Sequence, residues 1–414
     1  MVGLVLLATG ALAAPEAKRL KPLRLPNGEA LVCAYFFGHW WEPWRSDDGA
    51  VRRDLAALRG MGLNAICLDH EPSQSFDGDW KYLDREHRLA KEAGLNIIPW
   101  LELKCGADMS AHCAEVKTRW EVEVPVGEDR AGKPLNVRVW DPAYPQILAK
   151  YALLYLDRYL KDGALLRLRD GDRLRPVISL TVETGWDNAS FDDGTHARFR
   201  AWLQGRYREV EALNASWGTQ FAGWADVDPR DESVFGYGRL PEEVTPPLRD
   251  HAAFRAELIN DALAQAGRLV RAKHPEVLLL AEVPYTFSSP HPHAVTHRIA
   301  AASLAQAVAY ADIVMFRTVS PILSQAELDD CRMLEGRGQR IILAHRTYEA
   351  ANFCPARAQQ VIPEQAAGWA HGLGYYSWNE MVDVHIAGWD QTDRMVECIT
   401  RINARYQDLT REKT

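Results

Sequence analysis

Eight times along this chain a short apolar run stops abruptly at a polar or charged residue, and the next run follows only after further sequence. The runs occupy residues 31–37, 64–68, 96–101, 177–182, 278–281, 312–316, 340–344 and 374–378. Runs that are apolar at successive positions, rather than at alternate ones, suit strands covered on both faces. Segments with helical spacing separate most of them, as at residues 80–93, where Gly94 supplies the stop. Strands alternating with helices form a parallel sheet. Eight such units predict an α/β fold of the (β/α)8 TIM-barrel type.

That fold gives the polar run-ends a shared meaning. In a parallel barrel the C-terminal ends of all strands open on one face, where the chemistry of such folds is placed. Asp69 and His70, Glu102, Glu183, Glu282, Arg317, His345 and Arg346, and Asn379 and Glu380 all fall there. A carboxylate at the end of a buried strand is costly unless solvent, a partner or a substrate meets it. Aromatic residues join them: Trp40 and Trp41 after the first run, Trp186 after the fourth, and Trp378 at the eighth. Trp44 is a further candidate platform for a sugar ring, with core packing as its other reading. Clustered carboxylates beside aromatics suit hydrolysis of a sugar acetal. One carboxylic acid protonates the leaving oxygen, and a second carboxylate attacks or assists.

Two interruptions break the strand–helix rhythm. Residues 104–141 contain RWEVEVPV and LNVRVW, two alternating stretches around GEDRAGK, which predict a β-hairpin excursion after the third strand. Residues 225–250 are rich in Pro, Gly and acids and predict a loop excursion before a helix from about residue 251 to 273. Residues 14–29 are basic and punctuated by proline and read as a tether, so that one barrel occupies 30–414. Residues 1–13, MVGLVLLATGALA, resemble the apolar part and cleavage site of a signal peptide without its charged opening, which implies a periplasmic or secreted protein.

The middle of the chain carries a resemblance to a known family. Glu183-Thr184-Gly185, then FRAWLQGRY, then LNASWGTQF resembles glycoside hydrolase family 42, and more loosely clan A. The resemblance implies that Glu183 is the general acid/base at the end of strand four. Val182 stands where the family usually has Asn. The family's nucleophile lies at the end of strand seven, which here reads Leu343-Ala344-His345, with Glu349 as the nearest carboxylate. A shorter stretch, GYYSWNEMVD, resembles the W-N-E-W-x-E signature of family 99 and the related WbsX-type proteins. That resemblance implies a catalytic role for Glu380, with Asp383 where the family has Glu and Met381 where it has Trp. Glu282 faces the same cavity on this reading and is the reserve candidate.

The expected function is therefore hydrolysis of an oligo- or polysaccharide by two carboxylates, Glu183 and Glu380, without cofactor or metal. The alternative class is a catalytically inactive barrel that binds glycan. His291, His293 and His297 invite a metal reading, but no acid follows nearby to support them. The formal charge of -8 argues against a nucleic-acid partner. No segment is long and apolar enough for a helical membrane span. Of the seven cysteines, Cys33 and Cys67 read as buried thiols, while Cys105 and Cys113 could pair in an oxidising compartment.

Overall fold

The computed structural model describes residues 20–38, 41–70, 80–101, 123–134, 137–180, 190–235, 245–283, 308–318, 321–346, 356–382 and 392–411. Eight parallel strands close into a barrel: β1 (Val32–Phe36), β2 (Ala65–His70), β3 (Asn96–Leu101), β5 (Arg173–Ser179), β6 (Leu278–Val283), β7 (Ile313–Thr318), β8 (Arg340–Arg346) and β9 (Gly372–Tyr376). Closure is made by β9 beside β1, with Cys33 opposite Gly374, and by β3 beside β5, with Trp100 opposite Ser179. A ninth strand, β4 (Arg167–Asp170), pairs antiparallel with β5 and lies outside the barrel. The sequence reading missed it: R-L-R-D-G-D-R-L-R has arginines where a buried strand would be apolar, and only the turn at Gly171, with φ of 62°, betrays the hairpin.

Alternation along each strand separates two sets of side chains. Cys33, Tyr35, Cys67, Ile98, Trp100, Val177, Leu278, Leu280, Ile313, Met315, Ile342 and Ala344 fill the barrel. Their neighbours, such as Ile178, Leu279, Ala281, Val314, Ile341 and Leu343, face the helical layer. Each buried large aliphatic contributes about 1.5–3 kcal/mol, so both sets hold the sheet in one register. Small residues make room where the barrel narrows. A Cβ on Gly374 would sit 3.3 Å from Cys33 Sγ and 3.4 Å from the Ala344 Cα.

The helices that cover this sheet are α1 (Asp48–Gly60), α2 (Lys81–Glu92), α3 (Ala143–Tyr159), α4 (Asp193–Tyr207), α5 (Val210–Trp217), α6 (Glu232–Phe235), α7 (Pro246–Lys273), α8 (Gln325–Gly336), α9 (Ala356–Trp369), α10 (Trp378–Val382) and α11 (Thr392–Thr410). Several boundaries differ from expectation for local reasons. Val210 does not continue the helix of Phe199 and Trp202, because Arg208 at φ 66° ends α4 and α5 begins anew. Thr245 caps α7 with Pro246 in its first turn, so that helix starts before residue 251. The 225–250 excursion contains α6, whose Phe235 joins Phe199, Leu203, Trp217 and Phe254 in a satellite core.

Two further readings change. Of the stretch read as a tether, Leu23 and Leu25 are buried in the inner core, and Arg24 pairs with Ala30 across a short turn. Residues 20–30 therefore belong to the barrel, whose lower end they plug. Strand eight ends at Tyr376, so Trp378 opens the short helix α10 and is not a strand residue. Within the expected hairpin after strand three, Val126 and Val137 do pair antiparallel.

Candidate active site

The described side chains at the C-terminal end of the barrel centre on a buried ion pair. Arg317, inward on β7, donates from Nε to Glu282 Oε1 at 2.9 Å, and Tyr35, inward on β1, donates its hydroxyl to the same oxygen at 2.9 Å. Glu282 and Arg317 are each 1% exposed. The guanidinium lies 4.0 Å from the Tyr376 ring centroid and 5.3 Å from that of Tyr35. Two aromatic faces and a carboxylate thus replace the water that such a cation would otherwise keep. Burial, and then the Glu282 charge, push the Tyr35 phenol well above its ordinary pKa, so it remains a proton donor.

Aromatic rings build the wall around this pair. Trp100 packs edge-on against Tyr35 with centroids 4.0 Å apart, and Tyr376 does so at 4.7 Å. Phe37 continues the wall toward the rim, where half-buried Trp41 meets it at 5.5 Å. Trp44, by contrast, is buried and donates to Asp54 from Nε1, which makes it part of the packing under the rim. Trp100 was not among the candidates read from the sequence. Its inward direction was legible from alternation along β3, but its place in the site depends on Tyr35 across the barrel.

Asn379 ties the start of α10 to the first strand. Its Oδ1 accepts the Phe37 backbone N–H at 2.7 Å, and the residue is fully buried. The Asn379 Nδ2, Trp378 Nε1 and Trp100 Nε1 donors are buried and have no hydrogen-bond partner among the described residues. Buried donors of this kind cost free energy unless a bound molecule or water meets them. Glu380 is the third residue of α10, one helical position past Asn379, rather than the last residue of a strand.

His345 departs from its expected place. Its strand parity matches Ile341 and Leu343, so it faces the helical layer and not the mouth. There its Nδ1 lies 2.8 Å from Thr318 Oγ1, and burial pushes the imidazole down to about 4, which keeps it neutral. Arg346, one residue on, has the opposite parity and is buried. Strand ends therefore sort into two faces, and belonging to the run-end set did not distinguish them.

Leu180 is buried just past β5, and Ser190 is buried ahead of α4. Asp192 caps α4 by accepting the Gly194 and Thr195 N–H groups at 2.9 and 3.2 Å. Burial acts to raise the Asp192 pKa, but hydrogen bonds from Ser190 and Thr195 outweigh it and hold the carboxyl below its ordinary value. Asn214 lies within α5, and its side chain holds the turn that follows the helix: its Oδ1 accepts from Phe221 N–H and Thr219 Oγ1, each at 2.9 Å. Trp40, Glu102, Glu183, Trp186, Glu349, Asp383, His291, His293, His297, Cys105 and Cys113 lie outside the described residues, as do the side chains of Asp69, His70 and Glu380. Cys33 and Cys67 are buried free thiols.

Comparison with known proteins adds to this geometry. A family model described as beta-galactosidase, of glycoside hydrolase family 42, matches residues 177–299, from β5 through the segment beyond β6. The chain is 22% identical over 214 residues to a beta-amylase of Cytobacillus firmus, which covers 44% of each chain. Among solved structures, the beta-amylase catalytic domain of Paenibacillus polymyxa superposes with a TM-score of 0.55 at 16% identity, covering 89% of this chain and 97% of that one. The family 42 beta-galactosidase Gan42B of G. stearothermophilus superposes with a TM-score of 0.61 at 12% identity, covering 95% of this chain and 58% of that one. The matched curated relatives are spanned over only 17–44% of their own lengths. The shared fold is the TIM barrel, and the relatives and neighbours named here are glycoside hydrolases.

Proposed function

We propose that this chain hydrolyses a glycosidic bond in an oligo- or polysaccharide, with Glu183 as general acid/base and Glu380 as the second carboxylate. The observation that carries the reading is the position of β5. It is the fourth barrel strand, closed between β3 and β6, and the family 42 match begins at its Val177. Glu183 follows Ser179, the last residue of that strand, by four positions. A carboxylate following the fourth strand of such a barrel suits protonation of a leaving-group oxygen, which supports the role proposed for Glu183.

The geometry at Glu282 supports Glu380 over the reserve candidate. Glu282 is committed through Oε1 to Arg317 and Tyr35 and is fully buried. Its role in this reading is to hold the guanidinium between the tyrosines, giving the floor of the pocket a fixed shape and charge. Glu380 sits in a helix anchored to β1 by the Asn379–Phe37 hydrogen bond. Trp41, Phe37 and Tyr376 offer apolar faces to a sugar ring, and Trp100 and Asn379 offer buried donors to its hydroxyls.

Proton transfer proceeds in the usual sense for paired carboxylates. Glu183 gives its proton to the departing oxygen as the bond to the anomeric carbon breaks, and Glu380 stabilises, attacks or delivers water to that carbon. A second reading, an inactive glycan-binding barrel, draws support from β8, which ends Ala344-His345-Arg346 without a carboxylate. Activity on a panel of aryl glycosides and polysaccharides separates the two, with Glu183→Gln and Glu380→Gln beside the parent. Acid–base assistance contributes roughly a hundred- to ten-thousand-fold, so Glu183→Gln should lose that much on an unactivated glycoside. Retention of activity within a few-fold rejects the role of Glu183. Glycan binding with no turnover by the parent favours the second reading.

A further inference from the structure

We infer that His196 is a pH-sensitive latch that holds residues 224–235 against the first turn of α4, at the rim of the barrel. α7 leads down into the start of β6, so its own first turns lie at the C-terminal face. Phe199 of α4 meets His251 of α7 there, with ring centroids 4.9 Å apart. His196, one turn before Phe199, is 1% exposed and packs edge-on to Phe191 at 6.4 Å. Both of its ring nitrogens are buried without a hydrogen-bond partner among the described residues. Asp228 Oδ1, on the returning segment, stands 3.9 Å from Nδ1, too far to accept from it. A buried ring left in this state has a cost, and that cost changes when the ring takes up a proton.

Charged groups face the ring from three elements. Asp228 and Arg230 lie on the returning segment, Asp193 and Arg200 on α4, and His251, with Arg255 beyond it, on α7. Burial, and after it the Arg230 charge, hold the imidazole below its ordinary pKa, against the pull of Asp228. A protonated ring must regain water, and the least-tied wall is the one that gives way. Residues 224–235 are tied to α4 by Arg200 Nε, which donates to the Val227 carbonyl at 2.9 Å, and by Arg230, 3.6 Å from the exposed Asp193. Arg130 reaches Glu232 at 2.6 Å, again at the surface, where ion pairs contribute little. Val227 and Phe235 are the segment's buried apolar contacts with the satellite core. The opened segment frees the ring to bind its proton at the ordinary value of 6.5, while the closed one resists it. Closure is therefore complete above about pH 6.5 and weakens as pH falls below it. The latch is independent of which carboxylate acts in the mouth.

The test is hydrogen exchange read by mass spectrometry on the full chain at pH 7.5, 6.5 and 5.5, with exchange times scaled to the intrinsic rate at each pH. In the parent the opening equilibrium of residues 224–235 should rise by roughly threefold or more from pH 7.5 to 5.5, while β6 and β8 keep their protection. His196→Gln should abolish the rise, because an amide does not titrate. Asp228→Asn, a change at the surface, should steepen it, since it removes the acid that favours a proton in the closed form. No rise in the parent, a rise that survives His196→Gln, or one that flattens in Asp228→Asn overturns the latch. A rise shared equally by β6 and β8 overturns it too, because that pattern is global unfolding. Should His196→Gln fail to fold, the Asp228→Asn slope decides alone.

Discussion

Replacing Arg317 by Met tests whether the buried pair at the barrel mouth is a cooperative unit. At 2.9 Å, and with an effective dielectric constant of about 20, the attraction between Arg317 and Glu282 is on the order of 6 kcal/mol. Desolvation of both groups offsets most of that in the intact protein. Removing the cation alone leaves a carboxylate buried without the guanidinium that balances it, at a cost of roughly 3–5 kcal/mol. Loss of the stacking on Tyr376 adds about 1 kcal/mol. Glu282→Gln is expected to cost less, since an amide oxygen still accepts from Arg317 and Tyr35. In the double variant the neutral Gln stands beside Met, so its loss should fall short of the two single losses added together by about 2 kcal/mol or more. Urea unfolding followed by tryptophan fluorescence and circular dichroism measures all four proteins. A coupling under about 1 kcal/mol would refute the argument, because it would mean that solvent or another group already balances each charge.

Two other outcomes can be measured, the first drawn from the structure and the second from the sequence. His345 has a folded-state pKa of about 4 because it is buried, below the ordinary imidazole value of 6.5. The unfolded chain therefore binds its proton first as pH falls, and stability is lost from about pH 6.5 down to about pH 4, by up to about 3 kcal/mol for this residue. His371, also pushed down to about 4 by burial and then by Arg340, acts in the same direction. Urea midpoints from pH 7.5 to 4 should fall in that window, and His345→Gln should flatten the slope; an unchanged slope would show that His345 is solvated. If residues 1–13 are an export signal, protein from the native host should begin at Ala14, and mass spectrometry finding intact Met1 would reject export.

Much of this architecture was legible in the sequence because strand burial in a parallel barrel leaves a local mark. Asn96–Leu101 was read with its observed bounds, since a run covered on both faces is apolar whatever surrounds it. The N-cap of α4 is similarly local, since Asp192 accepts from Gly194 and Thr195 within three residues. The β4–β5 hairpin was hidden because its stability comes from cross-strand pairing and from arginines bonded to distant carbonyls. Arg169, for example, donates to the Pro26 carbonyl.

What the sequence by itself determined, then, is the series of strands and the polar residues at their ends. Which of those residues meet was decided by the closed barrel alone. Arg317 and Thr318 are neighbours in sequence, yet one pairs with Glu282 inside and the other with His345 outside. Each strand's side chains alternate between two faces, and the inward face is chosen by strand pairing and by the helices packed outside. The same holds for Leu23 and Leu25, which look like part of a basic leader until the open lower end of the barrel gives them apolar surface to cover. A strand's end can be read one residue at a time, but the direction of its side chain is a property of the whole sheet.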